Sequence, residues 1–207
     1  CMVTRSIFAS ISEIIEILIT GLCMKYLLFL LLLIPQLGYC DIQPIKLTEN
    51  SIGTMPIKVK DDISLQKVRQ YFPNYLVQHE IRMGDSPDFH AFIVSTYEGE
   101  ELFFFISYIN TPEDYEKGVV KLDELIVVSP HIRDQFGISP GMPLEVANTR
   151  RSSLTFGEGH MDFYFGGGKI WYMVSVTVPE GQLINQQTVT KLNPMIDKLS
   201  WPSPWWN

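Results

Sequence analysis

The chain has 207 residues, of which 46% are hydrophobic and 12% aromatic. This composition excludes intrinsic disorder, which goes with low hydrophobicity and excess charge, and the length suits one domain. The formal net charge of −7 argues against nucleic acid as a partner, because phosphate binding depends on clustered Lys and Arg side chains.

Residues 24–40 have the layout of a secretory signal peptide. Met24-Lys25 gives a positive start, residues 26–34 form an apolar run too short to span a bilayer, and Gly38-Tyr39-Cys40 resembles a cleavage site. We therefore predict that residues 1–23 are a misassigned upstream segment and that translation starts at Met24. The alternative is an N-terminal amphipathic helix or, together with 26–34, a membrane anchor.

Two fates of Cys40 stay open in the sequence. Cleavage after Cys40 leaves Asp41–Asn207 as a periplasmic or secreted protein without cysteine, and therefore without disulfides. The residues before Cys40 also resemble the motif of lipoprotein signal peptidase, although Tyr39 is larger than the small residue usual at that position. Lipidation of this candidate site would give a membrane-anchored lipoprotein. We expect membrane contact only if Cys40 is lipidated or the signal is retained.

Residues 41–50 are predicted to be a polar leader, 51–180 the folded domain and 181–207 a C-terminal tail. The first predicted elements are a strand at 52–59, with Pro56 at a sheet edge, and a short helix at 65–72, with capping oxygens from Asp61, Asp62 and Ser64. Strands are then predicted at 75–83, 89–97, 102–109 and 123–128. A second short helix or turn at 142–147 and a meander at 152–156, 161–165 and 169–178 complete the domain. The predicted fold class is mainly β: an antiparallel sheet or sandwich-like single domain with two short helices.

The most specific stretch of the sequence joins the strand at 123–128 to the second helix. Ser129-Pro130 ends the strand, because proline lacks the N–H that a sheet ladder needs. Gly137 is predicted to follow a short helical turn in the left-handed conformation, and Ser139-Pro140-Gly141 to begin the next helix. We interpret Ser129, Asp134, Gly137 and Gly141 as a structural motif.

Few residues suggest catalysis or metal binding. His160-Met161-Asp162 places two metal-ligand types at i and i+2, but the sequence supplies no second histidine pair beside them. Ser129, His131 and Asp134 are the residue types of a nucleophilic triad, yet neighbours on one turn cannot easily form its chain of hydrogen bonds. We therefore expect no catalytic residue, no metal and no cofactor.

Three motifs resemble the RpoE-regulated lipoprotein family, an envelope-protein domain of unknown function. They are Ile52-Gly53-Thr54-Met55-Pro56-Ile57, Tyr71-Phe72-Pro73-Asn74-Tyr75-Leu76-Val77, and the stretch from Val128 to Gly141, within a resemblance that covers about residues 52–178. The resemblance implies a mainly β domain on the periplasmic side of a bacterial envelope and supplies no catalytic residues.

The leading functional hypothesis is an exported, non-enzymatic envelope protein that binds or supports an unknown envelope protein or ligand. The first alternative is a small-ligand or lipid-binding module built on Phe103–Phe105 and Met161–Phe165, although we expect the phenylalanine run to pack in the core. The second alternative is a hydrolase that uses His160 and nearby carboxylates.

Overall fold

The structure is a computed structural model that describes residues 44–84, 87–159 and 162–202. These residues belong to one compact unit that begins at Pro44. They form fourteen short strands, three α-helices and one 3₁₀ helix. The predicted mainly β, antiparallel single domain is therefore confirmed.

An eight-stranded antiparallel sheet forms the centre of the domain. In spatial order its strands are β11 (Thr155–Glu158), β12 (Phe163–Gly167), β13 (Ile170–Val174), β14 (Lys198–Trp201), β9 (Glu124–Val127), β7 (Glu101–Tyr108), β6 (Phe89–Ser95) and β5 (Leu76–Arg82). Strands β5 and β11 are its two edges. The strands predicted at 75–83, 89–97 and 102–109 are confirmed as β5, β6 and β7, which pair in that order.

Two smaller sheets lie in the same unit. One contains β10 (Arg133–Asp134), β1 (Lys46–Leu47), β2 (Ser51–Ile52) and β3 (Met55–Pro56), and the other pairs β4 (Asp62–Ile63) with β8 (Val120–Lys121). Pro56 lies on the edge strand β3, as predicted. The single strand predicted at 52–59 is wrong, because Gly53 has φ +56° and turns the chain back between β2 and β3.

The helices are short and pack on one face of the central sheet. They are α1 (Leu65–Tyr71), α2 (Leu144–Arg150), α3 (Gln186–Leu192) and the 3₁₀ helix Pro112–Glu116. Val68 of α1, Ala147 of α2 and Val189 of α3 are fully buried in the same core as Phe103 and Trp201. A smaller cluster on the opposite face contains Ala91, Ile93, Phe104, Ile106 and Ile126.

The start of α2 differs from the prediction. Ser139-Pro140-Gly141 does not begin a helix; the N–H of Met142 donates to the Ser139 carbonyl at 3.3 Å, which closes a turn. Gly141 has φ +80°, a left-handed conformation that cannot continue into a right-handed helix. The helix therefore begins only at Leu144.

The C-terminal stretch assigned to a tail by the sequence analysis supplies both α3 and β14. Strand β14 pairs with β13 on one side and with β9 on the other, so it completes the middle of the sheet. Its Leu199 and Trp201 side chains are fully buried. The domain thus closes around residues close to its C-terminus.

Candidate functional site

Ser129 is buried at the end of β9 and holds a loop from the neighbouring hairpin. Its hydroxyl donates to Glu100 Oε1 at 2.7 Å and accepts the backbone N–H of His131 at 3.3 Å. His131 itself is exposed, with its Nε2 atom 3.9 Å from Glu100 Oε1. Ser129 thus pairs with a carboxylate across the loop and anchors the strand end.

Asp134 points into the core and organises the turn that follows it. Its Oδ1 accepts the backbone N–H groups of Phe136 and Ile138, each at 2.8 Å, and its Oδ2 accepts the Tyr172 hydroxyl at 2.6 Å. Arg151 donates to the same hydroxyl at 3.0 Å. Burial and the Asp134 carboxylate raise the pKa of Tyr172 above its ordinary value. Ser129 and Asp134 therefore have separate partners and form no triad with His131.

Gly137 and Gly141 are the two turn residues of this stretch. Their φ angles of +77° and +80° lie in the left-handed region, which favours glycine. The left-handed conformation predicted for Gly137 is confirmed, but the residue follows a tight turn after β10, with its N–H donating to the Asp134 carbonyl at 3.0 Å. The stretch thus contains two turns and the buried hydrogen bonds of Ser129 and Asp134.

Two predicted site residues cannot be placed. Cys40 and His160 lie outside the described residues, so their roles stay predictions. Asp162, the other member of the predicted His–Asp pair, accepts the Ser175 hydroxyl at 2.7 Å.

The phenylalanine run belongs to the packed interior. Phe103 and Phe105 are fully buried in the main core, and their rings meet edge to face with centroids 5.6 Å apart. Phe104 lies on the opposite face of the sheet under the guanidinium of Arg82, 4.9 Å from the ring centroid. These contacts place the three rings in packing roles, as we expected.

A polar cleft of about 360 Å³ lies where β4 and β8 meet the 3₁₀ helix and the strands β6 and β7. We call it the Lys–Asp cleft. Its charged and polar lining comprises Lys60, Lys117, Lys121, Asp62, Asp114, Asp123, His90, Ser107, Tyr108 and Asn110. Sequence analysis did not predict it, because its residues come from four separate stretches of the chain.

The charges of the Lys–Asp cleft form three ion pairs. Lys60 pairs with Asp123, Lys117 with Asp114, and Lys121 with Asp62. The Lys121 ammonium holds the pKa of Asp62 below its usual value. Lys117, together with the backbone N–H groups of Thr111 and Asn110, lowers the pKa of Asp114 strongly. Asp62 and Asp114 are therefore charged at neutral pH, and the formal charges of the three lysines and three aspartates sum to zero.

His90 forms part of the lining of the cleft and is fully buried. Its Nε2 lies 2.8 Å from the Asp114 carbonyl oxygen, which can only accept, so Nε2 carries a proton and donates. In the neutral imidazole, Nδ1 then accepts from His79 Nε2, at 2.9 Å. Burial and the neighbouring His90 ring lower the pKa of His79, and Glu80 opposes them. Both ring nitrogens of His90 are thus engaged.

A signal for this histidine pair was present in the sequence. Gly84-Asp85-Ser86-Pro87, between the two predicted strands, are residue types that favour a turn, and in the observed pairing of β5 with β6 His79 lies opposite Phe92 and His90 opposite Ile81. Because side chains alternate along a strand, His79 and His90 share one face as diagonal neighbours. The turn residues and the alternation of side chains together are enough to predict that His79 and His90 lie close to each other.

Neither a metal centre nor a membrane-spanning helix occurs in the part of the chain that the structure describes. No group of three His, Cys, Asp or Glu residues within 44–84, 87–159 and 162–202 could hold a metal ion. No helix within those ranges is long and apolar enough to cross a bilayer.

Comparison with known proteins shows a likeness in fold. No protein-family model matches the chain, and no curated protein matches it significantly. Among solved structures, the chain is similar to the crystal structure of the uncharacterized protein yfeY from Escherichia coli, at 16% sequence identity and a TM-score of 0.52. The likeness covers 76% of this chain and 99% of that chain. At this identity it shows a shared fold alone.

Proposed function

We propose that this chain is an exported bacterial envelope protein whose β domain binds a small ligand with both positive and negative groups, in the Lys–Asp cleft, and carries out no reaction on it. The observation that carries the proposal is the ring of three Lys–Asp ion pairs around the cleft.

The pairing of the charges favours a ligand of mixed charge. A ligand that carries charge of one sign only would leave one member of an ion pair without its partner. A ligand with a carboxylate or phosphate and an ammonium can replace both members at once. The exchange costs least at Lys121–Asp62, where both side chains are exposed, because exposed ion pairs contribute little to stability. The Lys60 and Lys121 side chains are 66% and 60% exposed, so a ligand can reach them.

The occupied ring of His90 supports binding without chemistry. A general base needs a nitrogen that can take a proton from the substrate, and a general acid needs one that can give it. Both nitrogens of His90 are already hydrogen-bonded, to His79 and to the Asp114 carbonyl. In this proposal His90 shapes the lining of the cleft and holds the 3₁₀ helix in place.

Binding can be tested by NMR titration with free lysine and glycine betaine as zwitterionic probes, inorganic phosphate as an anion and spermidine as a cation. We expect lysine and glycine betaine, which carry charges of both signs, to shift the backbone amide signals of Val120 and Lys121 more than phosphate or spermidine, which carry charge of one sign only. The double variant Asp62→Asn/Lys121→Gln removes one ion pair and should weaken the response at least tenfold. Lys191→Gln, on α3, is the matched control and should leave it unchanged. Equal weak shifts with all probes would contradict the proposal.

The envelope location rests on residues 24–40 and on the resemblance to the RpoE-regulated lipoprotein family, to which we propose that the chain belongs. Intact mass and membrane partition, measured after expression from Met24 in a bacterial host, test it. A soluble product that begins at Asp41 means a free periplasmic or secreted domain. A product that begins at Cys40 with added acyl chains means a tethered lipoprotein. An uncleaved product would contradict the predicted signal peptide.

The hydrolase alternative depends on His160 and stays a prediction. It requires a hydrolytic activity that is lost in His160→Ala while the thermal unfolding of the protein is unchanged. Activity that survives this substitution would remove it.

A further inference from the structure

The outer edge of β5 is an exposed strand of seven residues. Gln78, His79, Glu80 and Ile81 are all exposed, and 41% of the Ile81 surface is open to solvent. Long exposed edges template pairing with another strand unless charge or covering elements prevent it. The backbone N–H and C=O groups that face outward from β5 determine how a second strand can pair with it.

The pairing of β6 with β5 and with β7 shows which backbone groups of β5 face outward. The N–H of Ile109 donates to the Asp88 carbonyl, so residues of β6 with the parity of Asp88 direct their backbone groups toward β7. The alternate residues of β6 face β5 and pair with residues 76, 78, 80 and 82. Val77, His79 and Ile81 therefore direct their N–H and C=O groups away from β6. An independent contact agrees, because Arg69 donates from outside the sheet to the Val77 carbonyl at 3.2 Å.

We propose that β5 pairs antiparallel with β5 of a second copy of this chain, about a twofold axis at Ile81. In this register Ile81 lies opposite Ile81 of the second copy, and His79 lies opposite Met83 of the second copy. The outward backbone groups of these residues then meet as hydrogen-bonded pairs. The two central sheets join into one continuous sheet.

Charge selects this register from those centred on Arg82, Glu80 and His79: an axis at Arg82 would place the two Arg82 guanidinium groups opposite each other, which is unfavourable. Centred on Ile81, each Glu80 lies directly opposite Arg82 of the other copy, which gives two opposite-charge cross-strand pairs. A twofold axis at Glu80 would place the two Glu80 carboxylates opposite each other, which is unfavourable. An axis at His79 would place Arg82 opposite Leu76 and Glu80 opposite Gln78. Only the register centred on Ile81 places opposite charges directly across the contact between the two copies.

The contact between Arg69 and Val77 selects the same register. Centred on His79, the pairing would set Ile81 of the second copy against Val77; centred on Glu80, it would set Met83 there. Both would compete with Arg69 for the Val77 carbonyl. Centred on Ile81, the pairing uses residues 79–83 and leaves that hydrogen bond in place.

The side chains on the edge suit this partner. Arg82 already donates to Glu80 Oε1 at 2.6 Å and to Glu101 Oε2 at 2.8 Å, so it is held across the sheet face before the second copy arrives. Ile81 and Met83, which is 90% exposed, lose apolar surface to water on pairing. One strand pair makes a small interface, so the dimer is a weak one.

The test is sedimentation analysis of the exported chain 41–207, which contains the whole described core and no cysteine. We expect the mass of a dimer at high micromolar concentration. Ile81→Lys should weaken dimerisation at least tenfold, because two ammonium groups meet on the axis. Ile184→Lys, at an isoleucine of similar exposure, is the matched control and should leave the dimer intact. Circular dichroism checks that both variants are folded.

Disulfide trapping tests the register independently. The Cα atoms of a hydrogen-bonded antiparallel pair lie about 5.5 Å apart, a separation that a disulfide spans. Ile81→Cys should therefore form a covalent dimer on oxidation, and His79→Cys should form much less. A monomer at every concentration, or stronger trapping at position 79, would overturn the proposal.

Discussion

At the scale of single residues, Asp134 places a carboxyl group fully inside the core. Burying a carboxylate is unfavourable unless hydrogen bonds compensate it, and Asp134 receives three: two from backbone N–H groups and one from Tyr172. Through these hydrogen bonds Asp134 links the turn after β10 to Tyr172 on β13. The residue therefore fixes local structure and the position of a distant strand at once.

The substitution Asp134→Ala should lower the free energy of unfolding by about 3 kcal/mol, because it leaves buried donors without an acceptor. Tyr172→Phe should cost about 1 to 2 kcal/mol, and in the double variant the two losses should not add. Urea denaturation measures all three. Asp61→Ala, at an exposed aspartate, is the control and should stay within about 0.5 kcal/mol of the parent. Additive losses would contradict the proposed coupling.

His79 should make stability depend on pH. Its pKa in the folded protein lies below the ordinary value of 6.5, so the unfolded chain binds protons more readily around that pH. Stability should therefore fall as the pH drops through the ordinary value toward the folded one. Urea midpoints recorded between about pH 8 and 5 should show this fall, and His79→Gln should reduce it. His131→Gln, at an exposed histidine, should not. An identical pH profile in His79→Gln would count against this role.

At the scale of elements, α1 shows how a seven-residue helix is kept in place. Helices this short are marginal alone in water, so α1 depends on the burial of Val68 and on its cap. The Ser64 hydroxyl accepts the backbone N–H of Lys67 at 3.2 Å.

Ser64→Ala should therefore lower the free energy of unfolding by about 1 kcal/mol, and Ser64→Gly by only a few tenths. Both variants lose the hydroxyl that accepts the N–H of Lys67. The loss is smaller for glycine, because glycine readily adopts the extended backbone conformation of an N-cap residue. Chemical denaturation of the pair decides the matter. Equal stability of Ser64→Ala and the parent would show that the cap is dispensable.

Elements with a strong local signal were predicted well, and those without one were not. Strands β5, β6 and β7 alternate or run apolar between clear turn residues, and α1 carries a cap followed by a helical apolar face. Helix α3 has only two aliphatic residues, Val189 and Leu192, among polar ones, so its sequence gives a weak helical signal. The two-residue strands β1, β4 and β10 exist because distant segments pair with them, which no local pattern records.

At the scale of the whole molecule, the C-terminal stretch closes the fold. Strand β14 joins the β11–β13 meander to the other half of the central sheet. The indole N–H of Trp201 donates to the Glu49 carbonyl at 2.8 Å, which ties the last strand to the first residues of the domain. Both ends of the domain thus meet at one buried side chain.

A chain that ends after Gly181 should consequently fail to fold, because β9 and β13 lose their shared neighbour and the core is opened. We expect no cooperative thermal transition and poorly dispersed NMR signals. The full-length variant Trp201→Phe is the control: it keeps an aromatic ring and should lose only about 1 kcal/mol with its N–H donor. A cooperative transition in the shortened chain would show that β14 is an accessory.

The sequence by itself determined the fold class, the strands β5, β6 and β7, and α1, because hydrophobic period, turn residues and caps act within a few positions of one another. Only the tertiary structure decided the middle position of β14, the partners of Ser129 and Asp134, and the Lys–Asp cleft. Each depends on contacts between residues far apart in the chain: Ser129 and Glu100 are 29 positions apart, and Trp201 and Glu49 are 152. Such contacts arise when the sheet assembles, and neither partner marks the other in the sequence.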